Sequence, residues 1–313
     1  MLYTRREIAK MALAGLPAGV LLESQVLGAV TKPDSKWAGV QVGLNVPYNY
    51  GTRTMPVDEV IEKTVQLGVS AVELRSQPIE LFMGVPMNVL EPGREKPAQA
   101  AAAETLRAWR LKADPKAAAE VQKKFEAAGV KIDVVKFDGI YAFTDPEMDY
   151  AFNLAKAAGA RAISCELEVE GAKRVGPFAD KHRFPVAYHG HTKTPAAMFE
   201  EAFSFAKYNW ANIDIGHWVA GGLGNPVDII RKHHERISHI HVKDRKAPAE
   251  GKDGANVPFG QGDTPIKDVL LLIRDNKWPI DAIIEFEYAV PQGSDRMAEQ
   301  RKALDYCKTA LLS

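Results

Sequence analysis

Cysteine is scarce in this chain: Cys165 and Cys307 are the only two among 313 residues. Two thiols are too few for a disulfide framework or a thiolate zinc site, and they read as unpaired packing residues. Net charge is missing as well, since forty basic and forty acidic side chains cancel. Without a basic field, nucleic acid is not expected as the main partner. No G-x-G-x-x-G or Walker sequence occurs, which argues against an open doubly wound sheet and a phosphate loop. No second hydrophobic segment is long enough to anchor the chain in a bilayer, so the mature protein is expected to be free of the membrane.

With 46% hydrophobic and 26% charged residues, the chain can bury a large core. Its N-terminus reads as a separate segment. Thr4–Lys10 contains Arg5-Arg6 and precedes an uncharged run from Met11 to Leu22, with Gly28-Ala29 beyond it. Paired arginines, a short apolar run and a small-residue exit resemble a twin-arginine export signal, which we place at residues 1–30. A periplasmic or exported location is therefore expected.

From about residue 38 to 313 the pattern alternates β-branched runs with Ala/Glu/Lys-rich helical ones. Strands are expected at Val40–Leu44, Ala71–Leu74, Lys131–Lys136, Arg161–Glu166, Val186–His191, Asn212–Trp218, Ile237–Asp244 and Ile283–Glu287. Helices are expected at Val57–Leu67, Pro115–Ala128, Pro195–Tyr208, Pro226–Arg236, Pro265–Asn276 and Asp295–Leu312, with another opening at Asp145-Pro146. This is the signature of an α/β, (β/α)8 TIM barrel in a single domain. Residues 76–114 and 245–264 are longer than barrel loops need to be. They are expected to form a partial lid and a second flap over the mouth.

All eight histidines lie between residues 182 and 241. His182, His233 and His234 fall on helices or their ends and are expected to be solvated. The other five fall where strands end, and a parallel barrel keeps its chemistry at its C-terminal end. Strand alternation puts His189 and His191 on one face, and His239 and His241 on another. One divalent ion, Mn²⁺, Co²⁺, Zn²⁺ or Fe²⁺, suits such a mixed imidazole and carboxylate set. The expected ligands are His189, Asp214, His241 and Glu285, one from each of four successive strands. Glu287 shares the face of Glu285 and is an alternative ligand, while Glu166 either completes the shell or acts as a base.

The second half of this pattern, Asp214-Ile-Gly-His217, His239-Ile-His-Val-Lys-Asp244, Gly260-Gln-Gly262 and Ile284-Glu285, resembles the xylose-isomerase-like TIM-barrel family. That superfamily holds sugar isomerases and epimerases, inosose dehydratase and the apurinic endonucleases. The resemblance covers the chain from about residue 38 to its end. It implies a divalent metal at the barrel mouth and a polyhydroxylated carbonyl substrate. Asp214, His241 and Glu285 match the family's ligands, and His217 its substrate-facing histidine. His189 stands where the epimerases carry a glutamate, and Tyr188-His-Gly-His191 looks more like the inosose dehydratase branch.

The expected activity is that of a metal-dependent sugar isomerase or epimerase, working by proton abstraction next to a metal-bound carbonyl. Glu287, Glu166 and His217 are candidate bases. Lys243 either stabilises an oxyanion or pairs with Asp244. His191 and Trp218 are expected at the substrate, with Tyr188 and Tyr288 as further aromatic faces for a sugar. A lyase or dehydratase acting on a keto-sugar or keto-glycoside is the alternative. A non-catalytic sugar-binding barrel is a second. A metal-dependent phosphodiesterase would call for further histidines on strands two and three, which offer Glu73, Arg75, Lys136 and Asp138 instead. Homo-oligomerisation is left open by the sequence.

Overall fold

A computed structural model describes residues 32–93 and 95–313. The export signal expected over residues 1–30 lies outside them. Among the described residues, eight parallel strands close into a single-domain barrel: β1 (Val40–Val46), β2 (Ala71–Arg75), β3 (Lys131–Lys136), β4 (Ala162–Glu166), β5 (Val186–His189), β6 (Asn209–Asp214), β7 (Ile237–Val242) and β8 (Asp281–Ile284). Neighbours pair in parallel all the way round, and β1 pairs with both β8 and β2 to complete the ring. Strands covered on both faces read as near-continuous apolar runs, and Val42, Leu44, Val72, Leu74, Ile240 and Val242 are all fully buried. These residues point outward to the helices. The alternate positions point to the barrel axis and carry the polar residues.

Helix boundaries follow local chemistry. Thr144 caps Asp145–Ala157 through a capping box, with Glu147 Oε2 accepting from the Thr144 backbone N–H at 2.9 Å. Gly129 and Gly159 stop two helices at φ of 79° and 78°, a region that other residues enter at a cost. The helix Val169–His182 was not among those expected; Gly171, Gly176 and Pro177 interrupt its periodicity in the sequence.

Several expectations need correction. The strand expected at Asn212–Trp218 runs from Asn209 to Asp214, and Ile215–Ala220 is helical, so His217 lies on a helix. The turn is made by Asp214 itself, whose Oδ1 accepts the His217 backbone N–H at 2.7 Å as a helix cap. β5 ends at His189 and β8 at Ile284, leaving His191, Glu285 and Glu287 just beyond strand ends.

The three helical histidines are partnered rather than merely solvated. His182 stacks on Phe152 and meets Asp149, His233 meets Glu200, and His234 stacks on Trp278. The long segment after β2 is largely helical, with Ser76–Phe82, Met87–Leu90 and Lys96–Arg110. A buried two-point ion pair between Arg110 and Glu80, at 2.7 and 3.1 Å, ties its last helix to its first.

Candidate metal centre and cleft

The axis-facing residues at the strand ends converge. His189 Nε2 lies 3.2 Å from Asp214 Oδ2, and His241 Nδ1 lies 3.9 Å from that oxygen and 3.6 Å from Glu285 Oε1. All four residues are buried. His189, Asp214, His217 and Glu285 present atoms within 4.8 Å of one another. His217 differs from the others in what its ring faces. Lys243 Nζ lies 2.8 Å from its Nε2, and Arg245 Nη1 contacts its Nδ1, so both nitrogens look at cations.

His241 Nδ1, by contrast, is buried without a hydrogen-bond partner. A buried polar atom left unpaired is costly and calls for a ligand, water or ion. Two imidazole nitrogens and two carboxylates facing a common space are the donor chemistry of a borderline divalent ion. The residues therefore fit such a group.

Electrostatics describe the same space. Burial raises the Asp214 and Glu285 carboxyls, but the Lys243 ammonium outweighs it and holds both well below the usual carboxylate range. Lys243 Nζ sits 3.0 Å from Asp214 Oδ2, 2.7 Å from Glu285 Oε2 and 2.6 Å from Glu287 Oε2. Burial lowers the Lys243 ammonium, yet these carboxylates raise it above its ordinary value. Its neighbour Asp244 points the other way, as strand alternation requires. Asp244 Oδ2 accepts from the Gly260 and Gly262 backbone N–H groups at 2.9 and 2.8 Å, fixing the segment 245–264. Lys243 thus pairs with the mouth carboxylates and not with Asp244.

Around this centre stand two acid–base groupings. On the β4–β5 side, one oxygen of Glu166 lies 2.7 Å from both His189 Nδ1 and His191 Nε2, and Lys136 Nζ is 2.8 Å from the other. His191 remains more than half exposed. On the β8–β1 side, Tyr48 donates to Glu287 Oε1 at 3.0 Å, and Asn45 donates to Glu285 Oε1 at 2.9 Å. In an eight-stranded ring these two sides lie opposite each other. A cleft of about 1170 Å³ opens on the second side, lined by Tyr48, Arg53, Asp138, Phe286, Glu287 and Arg296 among others.

Two of the expected aromatic faces are buried. Trp218 belongs to the hydrophobic core on its helix, and its indole N–H has no hydrogen-bond partner. Tyr188 is wholly buried, with its hydroxyl on Asn209 Oδ1 at 3.0 Å, since alternation sends it outward beside the inward His189. Tyr288 does line the cleft.

The main residue that site reasoning missed is Glu73 on β2, whose carboxylate contacts His241 Nε2. A glutamate at an inward position between the outward Val72 and Leu74 was the available signal. Tyr48 and Asn45 carried no signal beyond lying at the end of β1.

A closed barrel whose mouth gathers His, Asp and Glu defines the class: a (β/α)8 enzyme fold with a potential cation site. Residues 159–310, just under half of the chain, match the model of the xylose isomerase-like TIM barrel family. It is 25% identical over 169 residues to an inosose dehydratase of Clostridium botulinum (strain Alaska E43 / Type E3), covering 48% of this chain and 51% of that one. The match thus spans about half the length of that relative. Among solved structures, a xylose isomerase domain protein from Alicyclobacillus acidocaldarius superposes with a TM-score of 0.61 at 16% identity, covering 87% of this chain and 99% of that one. The IOLI protein, solved with a bound zinc atom, gives a TM-score of 0.59 at 11% identity over 87% of this chain and 98% of its own. These two likenesses establish the fold. Among the described residues, no helix is long and apolar enough to cross a membrane.

Proposed function

We propose that this protein is a divalent-metal-dependent enzyme that removes a proton next to the carbonyl of a keto-sugar. His189, Asp214, His241 and Glu285 are the ligands, with Mn²⁺, Co²⁺, Zn²⁺ or Fe²⁺ as the ion. The carrying observation is the meeting of His189 Nε2 and His241 Nδ1 with two carboxylates, between acid–base groups on opposite sides of the mouth. When bound, such an ion supplies Lewis acidity toward the substrate's oxygens.

The chain's own groups handle the protons. His191, exposed and tied to Glu166, takes the proton from carbon, and the Glu166 carboxylate offsets the positive charge that develops on its ring. Across the mouth, the Tyr48 hydroxyl, held by Glu287, gives a proton back, and Lys243 stabilises the negative charge beside it. His217 holds Lys243 in place.

Three outcomes use this arrangement. Returning the proton to the adjacent carbon isomerises, and returning it to the opposite face epimerises. In elimination, the C–H electron pair forms a C=C bond, the β C–O bond breaks, and the departing oxygen leaves protonated. The curated relative named inosose dehydratase supports elimination. The cleft exceeds the roughly 300–1,000 Å³ usual for small-molecule sites, which supports a keto-glycoside as well as a single keto-sugar.

The experiment is metal analysis of purified protein, then incubation in D₂O with a panel of ketoses, keto-inositols and keto-glycosides. Metal-dependent deuterium at carbon, with or without an enone product, supports the reading. A barrel that binds sugars equally well with and without a chelator, and never exchanges deuterium, is a binding protein and sinks it.

Export through residues 1–30 is proposed alongside this. Replacing Arg5 and Arg6 with lysine should retain the protein inside the cell, and unchanged export would remove the idea.

A further inference from the structure

The barrel axis beneath the proposed ligands is not apolar. Glu73 on β2 is wholly buried, and its Oε2 meets two imidazoles from β7. His241 Nε2 is in hydrogen-bond contact with it, and His239 Nε2 lies 3.5 Å away. His239 in turn lies 2.6 Å, through Nδ1, from Ser238 Oγ. The Ser238 carbonyl takes an N–H from Arg161 at 2.6 Å, and Arg161 also binds Asp133 at 2.8 Å near the far end of the barrel. Polar side chains therefore continue down the inside from the mouth, with His239 Nε2 beside Glu73 but making no hydrogen bond. A carboxylate buried this way is retained at a cost unless its partners compensate it.

We infer that Glu73 is a positioning residue, which fixes His241 in the tautomer that presents a bare Nδ1 to the ion, with His239 bracing Glu73 from below. This rests on the metal-site reading above. An ionised carboxylate only accepts hydrogen bonds, so it selects the His241 tautomer with its proton on Nε2. Nδ1, the orphaned atom that faces Asp214 and Glu285, is then the lone pair. Both His241 and Glu73 are held in one orientation by complete burial. The same geometry distinguishes the two β7 histidines, which alternation alone places on one face. His239 lies one step deeper, beside Glu73, and His241 reaches the mouth.

The test is Zn²⁺ binding by the purified full chain, measured by chelator competition, for wild type, Glu73→Gln and His239→Gln. Histidine tautomers are read in parallel by ¹⁵N NMR of the Zn²⁺-loaded proteins. Wild type should bind Zn²⁺ with His241 protonated at Nε2. Glu73→Gln should weaken binding by about 10- to 100-fold, the range for outer partners of a ligating histidine. It should also mix the His241 tautomers, since an amide can donate as well as accept. His239→Gln should give a smaller loss of the same kind. A folded Glu73→Gln protein with wild-type affinity and an unchanged tautomer overturns the positioning role alone. If wild type itself binds no Zn²⁺, the metal-site reading fails and carries this inference with it. Should Glu73→Gln fail to fold, Glu73→Asp, whose shorter side chain withdraws the carboxylate from His241, is measured instead, and an unaltered affinity and tautomer there overturn the positioning role.

Discussion

Lys243 Nζ lies 2.7 Å from Glu285 Oε2, inside the same space that the proposed ligands face. An ammonium there neutralises carboxylates that would otherwise repel one another when buried. The same ammonium competes with any added cation for Asp214 and Glu285.

Replacing Lys243 with methionine should therefore have opposite effects on two measurements. The chelator-treated protein should melt lower, because three carboxylates lose their counter-charge. Breaking a buried pair costs about 3–5 kcal/mol, and for a chain of this size that is on the order of 10 °C. Divalent-ion affinity by calorimetry should rise at least about tenfold. Turnover should fall, as Lys243 also faces Glu287. An unchanged ion affinity would mean that the ammonium does not compete for these oxygens.

Asp214 does two jobs, one with each oxygen: Oδ1 caps the following helix, and Oδ2 faces His189. Asp214→Asn keeps a capping oxygen but loses the charge. Its Tm should fall only modestly, since Asn is as good a cap as Asp. Its ion affinity should drop by two orders of magnitude or more. Equal ion binding in the two proteins would exclude Asp214 as a ligand.

His217 sets a pH dependence. Burial, with Lys243 nearby, outweighs the Asp214 charge and pulls its imidazole down to about 3, against about 6.5 in an unfolded chain. Between those values the unfolded chain binds the extra proton, so stability rises with pH there. This contribution is complete above about pH 6.5 and is lost as pH falls toward 3. Urea melts of metal-free protein should show it, and His217→Asn should flatten that limb of the profile. The same steepness in wild type and variant would count against it.

Arg110 anchors the helical insertion through Glu80. Arg110→Ala strands a fully buried carboxylate and should cost about 3–5 kcal/mol. Since Gln77, Leu90, Glu91 and Pro92 from this insertion line the cleft, KM should rise more than kcat falls. Thermal melts and steady-state kinetics check both expectations.

Gly262 tests the second long segment. A Cβ there would collide with Asp244, whose carboxylate receives its N–H. Gly262→Ala should therefore open residues 245–264 to limited proteolysis while the barrel's far-ultraviolet circular dichroism stays unchanged.

The local pattern settled the barrel and the inward set at strand ends. The period of two fixes which of His189 and Tyr188, or Lys243 and Asp244, faces the axis, and helix stops at Gly129 and Gly159 are backbone effects readable one residue at a time. The Asp214 turn escaped that reasoning. A carboxylate that caps a helix looks, in a string, like one more residue of a strand, and Ile215–Trp218 were read as strand with it. Glu73 escaped for another reason: its partners lie 166 and 168 positions away, and no periodicity links strands two and seven. Sequence alone decided which side chains could face the axis, because alternation along a strand is local geometry. Only closure of the ring decided which of them meet, because distances across a barrel depend on the register of all eight strands together.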